Sequence, residues 1–239
     1  MHAIKLIQII LAIAAATIAV VHAHTQVFNA GVDGALGANF QYLIENNFNN
    51  VAIENLTSTD LRCRSMSDIT GNGVDKLGID AGETLTIRWD HSNNTVVLAV
   101  LPESHKGPCM VYMAPLSSQG DGDVWFKIYE DGYDMQKHQW CSDKLISSWG
   151  IMNVTMPKDI PNGDYLVRAE VLALHQIPGI GFTQFYPNCV VVTVSGGTVS
   201  TMPKGYAIPG IYAYQDPGIY FSRRDNPADY QIPGPAVIS

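Results

Sequence analysis

The sequence predicts an all-β domain of two stacked antiparallel sheets, and three observations carry that expectation. Charged residues make up only 15% of the chain, while glycine and proline number 21 and 13. Apolar stretches are short and bounded by turn residues. No segment has the sustained 3.6-residue periodicity of a long amphipathic helix.

Taken in order, residues 29–82 are weakly patterned and read as loops decorating the sandwich, the kind of segment that usually carries function. Thr84-Leu85-Thr86-Ile87-Arg88-Trp89 alternates, so Leu85, Ile87 and Trp89 share one face. Residues 96–101 and 110–114 read as strands flanking a turn at Ser104-His105-Lys106-Gly107-Pro108, and residues 124–129 as another. From Tyr165 to Val171 the chain alternates again, with Tyr165, Val167, Ala169 and Val171 inward, and residues 189–194 complete the set. Stacking two sheets buries these inward faces. Residues 196–239, rich in proline, glycine and tyrosine, read as an extended strap packed on the core.

The first 23 residues have the form of a secretory signal peptide: Lys5, an apolar run from Leu6 to Val21, then Val21-His22-Ala23 at the cleavage position. Removal leaves residues 24–239 as one domain, with no linker and no carbohydrate-binding module expected. The formal net charge is −8, and loss of Lys5 makes the remainder more acidic, which argues against nucleic-acid and anionic-membrane partners. Neutral polymers such as glucans remain open. Cys63, Cys109, Cys141 and Cys189 are an even set without a Cys-x-x-Cys spacing, so two disulfides with three alternative pairings are expected. Asn55, Asn93 and Asn153 each open a glycosylation sequon.

Cleavage after Ala23 makes His24 the first residue. Its α-amine and its own Nδ1 then chelate one metal ion in a six-membered ring that no internal histidine can form. The amine titrates near about 7.7 and must lose its proton to bind, a competition that copper(II) wins best among common divalent ions. His105 stands at a loop edge forced by Gly107-Pro108, and His175 ends the strand Leu172-Ala173-Leu174-His175. In Gln184-Phe185-Tyr186, strand alternation sends the amide and the phenol to one side and Phe185 to the core. A phenol oxygen suits an axial position on copper held by three nitrogens, and a histidine beside a glutamine suits hydrogen bonding to an oxygen species. His91 and His138 read as ordinary surface or core histidines.

In this order, His24-Thr25, Ser104-His105-Lys106-Gly107-Pro108, Tyr112-Met113-Ala114, Ala173-Leu174-His175, Gln184-Phe185-Tyr186-Pro187-Asn188-Cys189, Asp216-Pro217-Gly218-Ile219 and Ile232-Pro233-Gly234-Pro235 resemble the fungal lytic polysaccharide monooxygenases of auxiliary-activity family nine, formerly glycoside hydrolase family 61. The resemblance covers the whole chain beyond the leader. It implies an immunoglobulin/fibronectin-like antiparallel β-sandwich with long decorating loops and copper on a flat face. It implies a histidine brace of His24 and His105, Tyr186 as axial tyrosine, and His175 with Gln184 beside them. The family's long-range disulfide matches Cys63 with Cys189, which leaves Cys109 and Cys141 for a second bridge.

The resemblance further implies a secreted, extracellular monomer holding one copper. Such an enzyme oxidises carbon one or carbon four in cellulose or hemicellulose, with hydrogen peroxide or dioxygen as cosubstrate. Electrons come from a donor such as cellobiose dehydrogenase or small phenols. The alternatives are a histidine-brace copper protein without productive oxidation and a glycan-binding sandwich without metal. One departure concerns substrate: where the family often presents a platform tyrosine after Asp-Pro-Gly-Ile, this sequence reads Tyr220-Phe221-Ser222-Arg223-Arg224-Asp225. Arg224 then falls at the platform position, with Tyr220 and Tyr230 as the aromatic candidates for sugar contact.

Overall fold

Turn residues cut the chain into twelve short strands and one helix among the residues that the computed structural model describes: 25–46, 51–65, 69–91, 100–174, 183–222 and 225–238. The strands are β1 (Gln26–Val32), β2 (Ala35–Leu36), β3 (Leu77–Asp80), β4 (Thr84–Asp90), β5 (Cys109–Pro115), β6 (Asp123–Asp131), β7 (Tyr133–Asp134), β8 (Gln139–Trp140), β9 (Ile151–Thr155), β10 (Gly163–Ala173), β11 (Gln184–Ser195) and β12 (Tyr206–Ala207). Helix α1 (Cys141–Ser147) follows β8 directly. Among the described residues no helix is long and apolar enough to cross a membrane.

The two sheets of the sandwich run β2-β1-β4-β9 and β12-β6-β5-β10-β11-β3, and β7 and β8 form a separate two-stranded sheet. The β-sandwich expectation therefore holds, with one exception to antiparallel pairing: β3 lies parallel to β11, Leu77 opposite Val192. The alternation of β4 is realised, since Leu85, Ile87 and Trp89 are fully buried in a core shared with Tyr165, Val167, Ala169 and Val171 of β10. Burying each such side chain contributes roughly 1.5–3 kcal/mol. The expected strand at 96–101 lies mostly outside the described residues.

Two expectations need correction. Residues 29–82 are not all decoration, because most of β1 and all of β3 lie within them. Nor does the six-stranded sheet have one buried face. Leu166 and Leu172 of β10, Phe185, Cys189 and Val191 of β11 form a second core with Ile44, Ile53 and Leu61 from the loops and Ile208, Tyr212 and Ile219 from the C-terminal strap. Alternation hid this layer, because the polar positions of β10, Arg168 and Glu170, are themselves fully buried. Phe185 accordingly packs under the loops, while Tyr186 joins the core between the sheets.

Both expected disulfides form, Cys63–Cys189 across 126 residues and Cys109–Cys141 across 32. Closing the longer loop is worth about 4–5 kcal/mol in the chain-entropy account. It also pins the loop before β3 to the middle of β11.

Candidate functional site

Pairing registers bring His105, Gln184 and Tyr186 to one end of the sandwich. Strand β1 starts opposite the end of β4, with Gln26 across from Asp90. The β10–β11 pair sets Ala173 against Gln184 and Val171 against Tyr186, and β5 begins with Cys109 across from Val171. The turn carrying His105 enters β5 at this end.

That turn is tied down from several sides. The Gly107 amide donates to Ser142 Oγ at 3.2 Å, and the Ser142 amide donates back to the Gly107 carbonyl at 3.2 Å. Lys106 forms an ion pair with Asp143 of α1, the Leu174 amide donates to the Lys106 carbonyl at 2.8 Å, and Cys109–Cys141 lies next along the chain. Only glycine fits at 107, because a Cβ there would stand 2.1 Å from the Leu172 carbonyl oxygen. Held this way, the His105 side chain is 1% exposed, its Nδ1 is 3.2 Å from Ser104 Oγ, and its ring centroid is 5.9 Å from that of Tyr186.

Tyr186 donates its hydroxyl proton to Gln184 Oε1 at 2.8 Å, and Gln184 Nε2 donates to Glu54 Oε1 at 3.1 Å. These two bonds fix which way the amide points. Burial pushes the Tyr186 phenol well above its ordinary pKa; the Arg64 charge opposes that shift and Glu54 adds to it. The phenol therefore stays protonated at neutral pH.

Arg64 completes the cluster. It is fully buried, and its Cζ lies 5.2 Å from the Tyr186 ring centroid. Nη1 donates to the Thr25 carbonyl at 2.9 Å, and Nη2 and Nε donate to the Val51 carbonyl at 2.6 and 3.1 Å. Thr25 is also held through its hydroxyl, which donates to the Val100 carbonyl at 2.8 Å. Burial lowers the Arg64 pKa to about 9, with Tyr186 acting in the opposite sense.

The sequence model of Auxiliary Activity family 9 (formerly GH61) matches residues 22–230. The chain belongs to this family. It is 39% identical over 230 residues to the AA9 family lytic polysaccharide monooxygenase A of Aspergillus niger, covering 95% of this chain and 55% of that protein. The namesake from Aspergillus kawachii is 38% identical over 230 residues, with coverage of 95% and 56%. The chain thus spans a little over half the length of these curated relatives. The solved structure titled CvAA9A superposes with a TM-score of 0.82 at 32% identity, covering 90% of this chain and 98% of that one.

Within this family 9 chain, His105, Gln184 and Tyr186 are brought together, while His24, His175, Arg224 and Asn93 lie outside the described residues. Among the described residues no three His, Cys, Asp or Glu side chains gather to hold a metal. A metal site that used His105 and Tyr186 would need a further donor from outside the described residues, and His24 is the one the sequence nominates. The remaining donors, one imidazole and one phenol, suit copper chemistrywise as nitrogen and weak oxygen ligands. Tyr220 is 62% exposed. Tyr230 is instead held edge-on by Trp140 and Phe221, with its hydroxyl donating to the Gly218 carbonyl at 3.0 Å. Asn55 is exposed in a turn in which its Oδ1 accepts from the Thr57 amide and hydroxyl, and Asn153 is exposed on the edge strand β9.

Sequence reasoning missed Arg64 and Glu54. A signal for Arg64 was present: it adjoins Cys63, and the partner Cys189 lies three residues beyond Tyr186. Glu54 offered none, because its approach to Gln184 depends on the bridge between Ile53 and Phe185.

Proposed function

We propose that the chain is a secreted copper-dependent polysaccharide monooxygenase that oxidises carbon one or carbon four of β-1,4-glucan or a related polymer. The observation that carries this reading is the convergence of His105, Tyr186 and Gln184 at the end of the sandwich where β1 begins, two residues after His24 in sequence. Residues 1–23 act as the leader, and its removal frees the His24 amine.

Copper would be held by His24, through its amine and ring, by His105, through Nε2, and by the Tyr186 oxygen. Copper bound there supplies one-electron chemistry toward peroxide or dioxygen. The Ser104 contact at Nδ1 orients the His105 ring, as partners of ligating histidines commonly do. Gln184 holds the Tyr186 proton through Oε1, and together with His175 it supplies hydrogen bonds to the cosubstrate. Tyr220 offers an aromatic face to the sugar, and Arg224 hydrogen-bonds hydroxyls.

The test is copper-loaded protein beginning at His24, incubated with amorphous cellulose and ascorbate and assayed by mass spectrometry. Aldonic acids or ketoaldoses are expected from this form and not from a variant with one extra residue before His24. Tight copper binding without oxidised products on cellulose or xyloglucan overturns the catalytic reading in favour of a copper-holding protein.

A further inference from the structure

Arg64 combines two unfavourable features in one residue. Its backbone sits at φ 60°, in the left-handed region that non-glycine residues seldom occupy. Its guanidinium is completely buried, yet among the described residues no carboxylate pairs with it; its acceptors are the Thr25 and Val51 carbonyls, and the Tyr186 ring lies beneath it. A buried charge without a counter-ion and a strained backbone both cost stability, and such costs gather where the surrounding structure uses them.

The connection these bonds make is specific. Thr25 is the first described residue and follows His24 directly, and the planar fork of an arginine can hold its carbonyl and the Val51 carbonyl at once while lying flat on a phenol ring. We infer that Arg64 is a positioning residue: its guanidinium clamps Thr25, which leads into β1 and follows His24 in sequence, against Tyr186 and the Val51 carbonyl. Lysine retains the charge but has no rigid fork. Asparagine tolerates φ 60° better than arginine and removes the side-chain bonds, so Arg64→Asn relieves the backbone while breaking the clamp.

The consequence for copper rests on the proposed function; the clamp itself does not. The first measurement is therefore hydrogen exchange on metal-free protein beginning at His24, comparing wild type with Arg64→Asn and Arg64→Lys. Amides of Gln26–Ala30 are expected to exchange about tenfold faster in Arg64→Asn, with Arg64→Lys between, while β3 amides at Leu77–Asp80 stay unchanged. Equal exchange at Gln26–Ala30 in all three proteins overturns the clamp.

The second measurement is the copper(II) electron paramagnetic resonance spectrum of the same proteins. A shift in the g and hyperfine values of Arg64→Asn is expected, a change that a merely structural role would not produce. An unchanged spectrum overturns the positioning role. Wild-type protein that shows no nitrogen-coordinated copper signal overturns the proposed function instead, and the exchange comparison alone then decides the clamp.

Discussion

Among the described residues two arginines are completely buried, and they are housed differently. Arg64 and Arg168 each donate to a backbone carbonyl and each lie over a tyrosine ring, Tyr186 at 5.2 Å and Tyr112 at 5.5 Å. Arg168, on the central strand β10, is also paired with Glu170 at 2.7 Å, itself fully buried. Glu170 accepts a further hydrogen bond from the Tyr212 hydroxyl, which sits 2.9 Å from that of Tyr112. Burial is the largest single influence on Arg168 and lowers its pKa, but the Glu170 charge, the Glu170 hydrogen bond, Tyr212 and Tyr112 together outweigh it and the pKa is raised; at Arg64 burial prevails. The closed cluster is balanced and serves the core beneath the strap. The open one leaves a cation beside a phenol at the end of the sandwich, next to Thr25. A buried charge is compatible with folding in both places, but among the described residues only Arg168 has a carboxylate paired with it.

The largest effect should come from unbalancing the closed cluster. Glu170→Gln keeps the shape and strands the Arg168 charge, so a loss of about 3–5 kcal/mol is expected in chemical denaturation. Copper binding to whatever remains folded should be unchanged. A loss below about 1 kcal/mol would mean that water or rearrangement rescues Arg168, and the contrast with Arg64 would collapse.

A matched pair of phenol deletions sharpens the same contrast. Tyr212→Phe removes a donor from a buried carboxylate and should cost about 1.5–3 kcal/mol. Tyr186→Phe removes a donor to a neutral amide and should cost about 0.5–1.5 kcal/mol. Only the second should alter the copper(II) spectrum. Equal costs would show that the Glu170 charge does not strengthen its hydrogen bond.

Much of this contrast lies beyond sequence reading, for a physical reason. Alternation marks the inward faces of β4 and β10 because one side of each meets the other sheet. Strand adjacency likewise puts Gln184 and Tyr186 on one side, as their hydrogen bond bears out. The second core was illegible because Arg168 and Glu170 look like a solvent face until their pairing is known. Arg64 and Glu54 reach Tyr186 and Gln184 only through a disulfide and a β-bridge, contacts made by segments distant in sequence. Local pattern identifies residues an element presents, not those a loop brings back to it.

Strand β10 also supplies Asp164, one member of an exposed pair against which the buried pair can be measured. Asp164 accepts from Lys76 Nζ at 2.6 Å and from Thr193 Oγ1 at 2.6 Å, with both members of the ion pair more than a third exposed. The Lys76 bond, then the Thr193 bond, hold the Asp164 carboxyl below its ordinary pKa, with slight burial acting the other way. A depressed native pKa means that the unfolded state binds the proton more readily. The contribution is therefore fully present above the unfolded value of about 3.9 and disappears as pH falls through the lower folded value. Solvent screening limits it to about 0.2–0.5 kcal/mol. Asp164→Asn should thus be slightly less stable than wild type near neutral pH, and the two stability curves should converge as the medium is acidified below about pH 4. Curves that stay parallel would show that Asp164 acts through its hydrogen bonds rather than its charge. The difference between this pair and Arg168–Glu170 would then reflect hydrogen-bond geometry, not the low dielectric of the core.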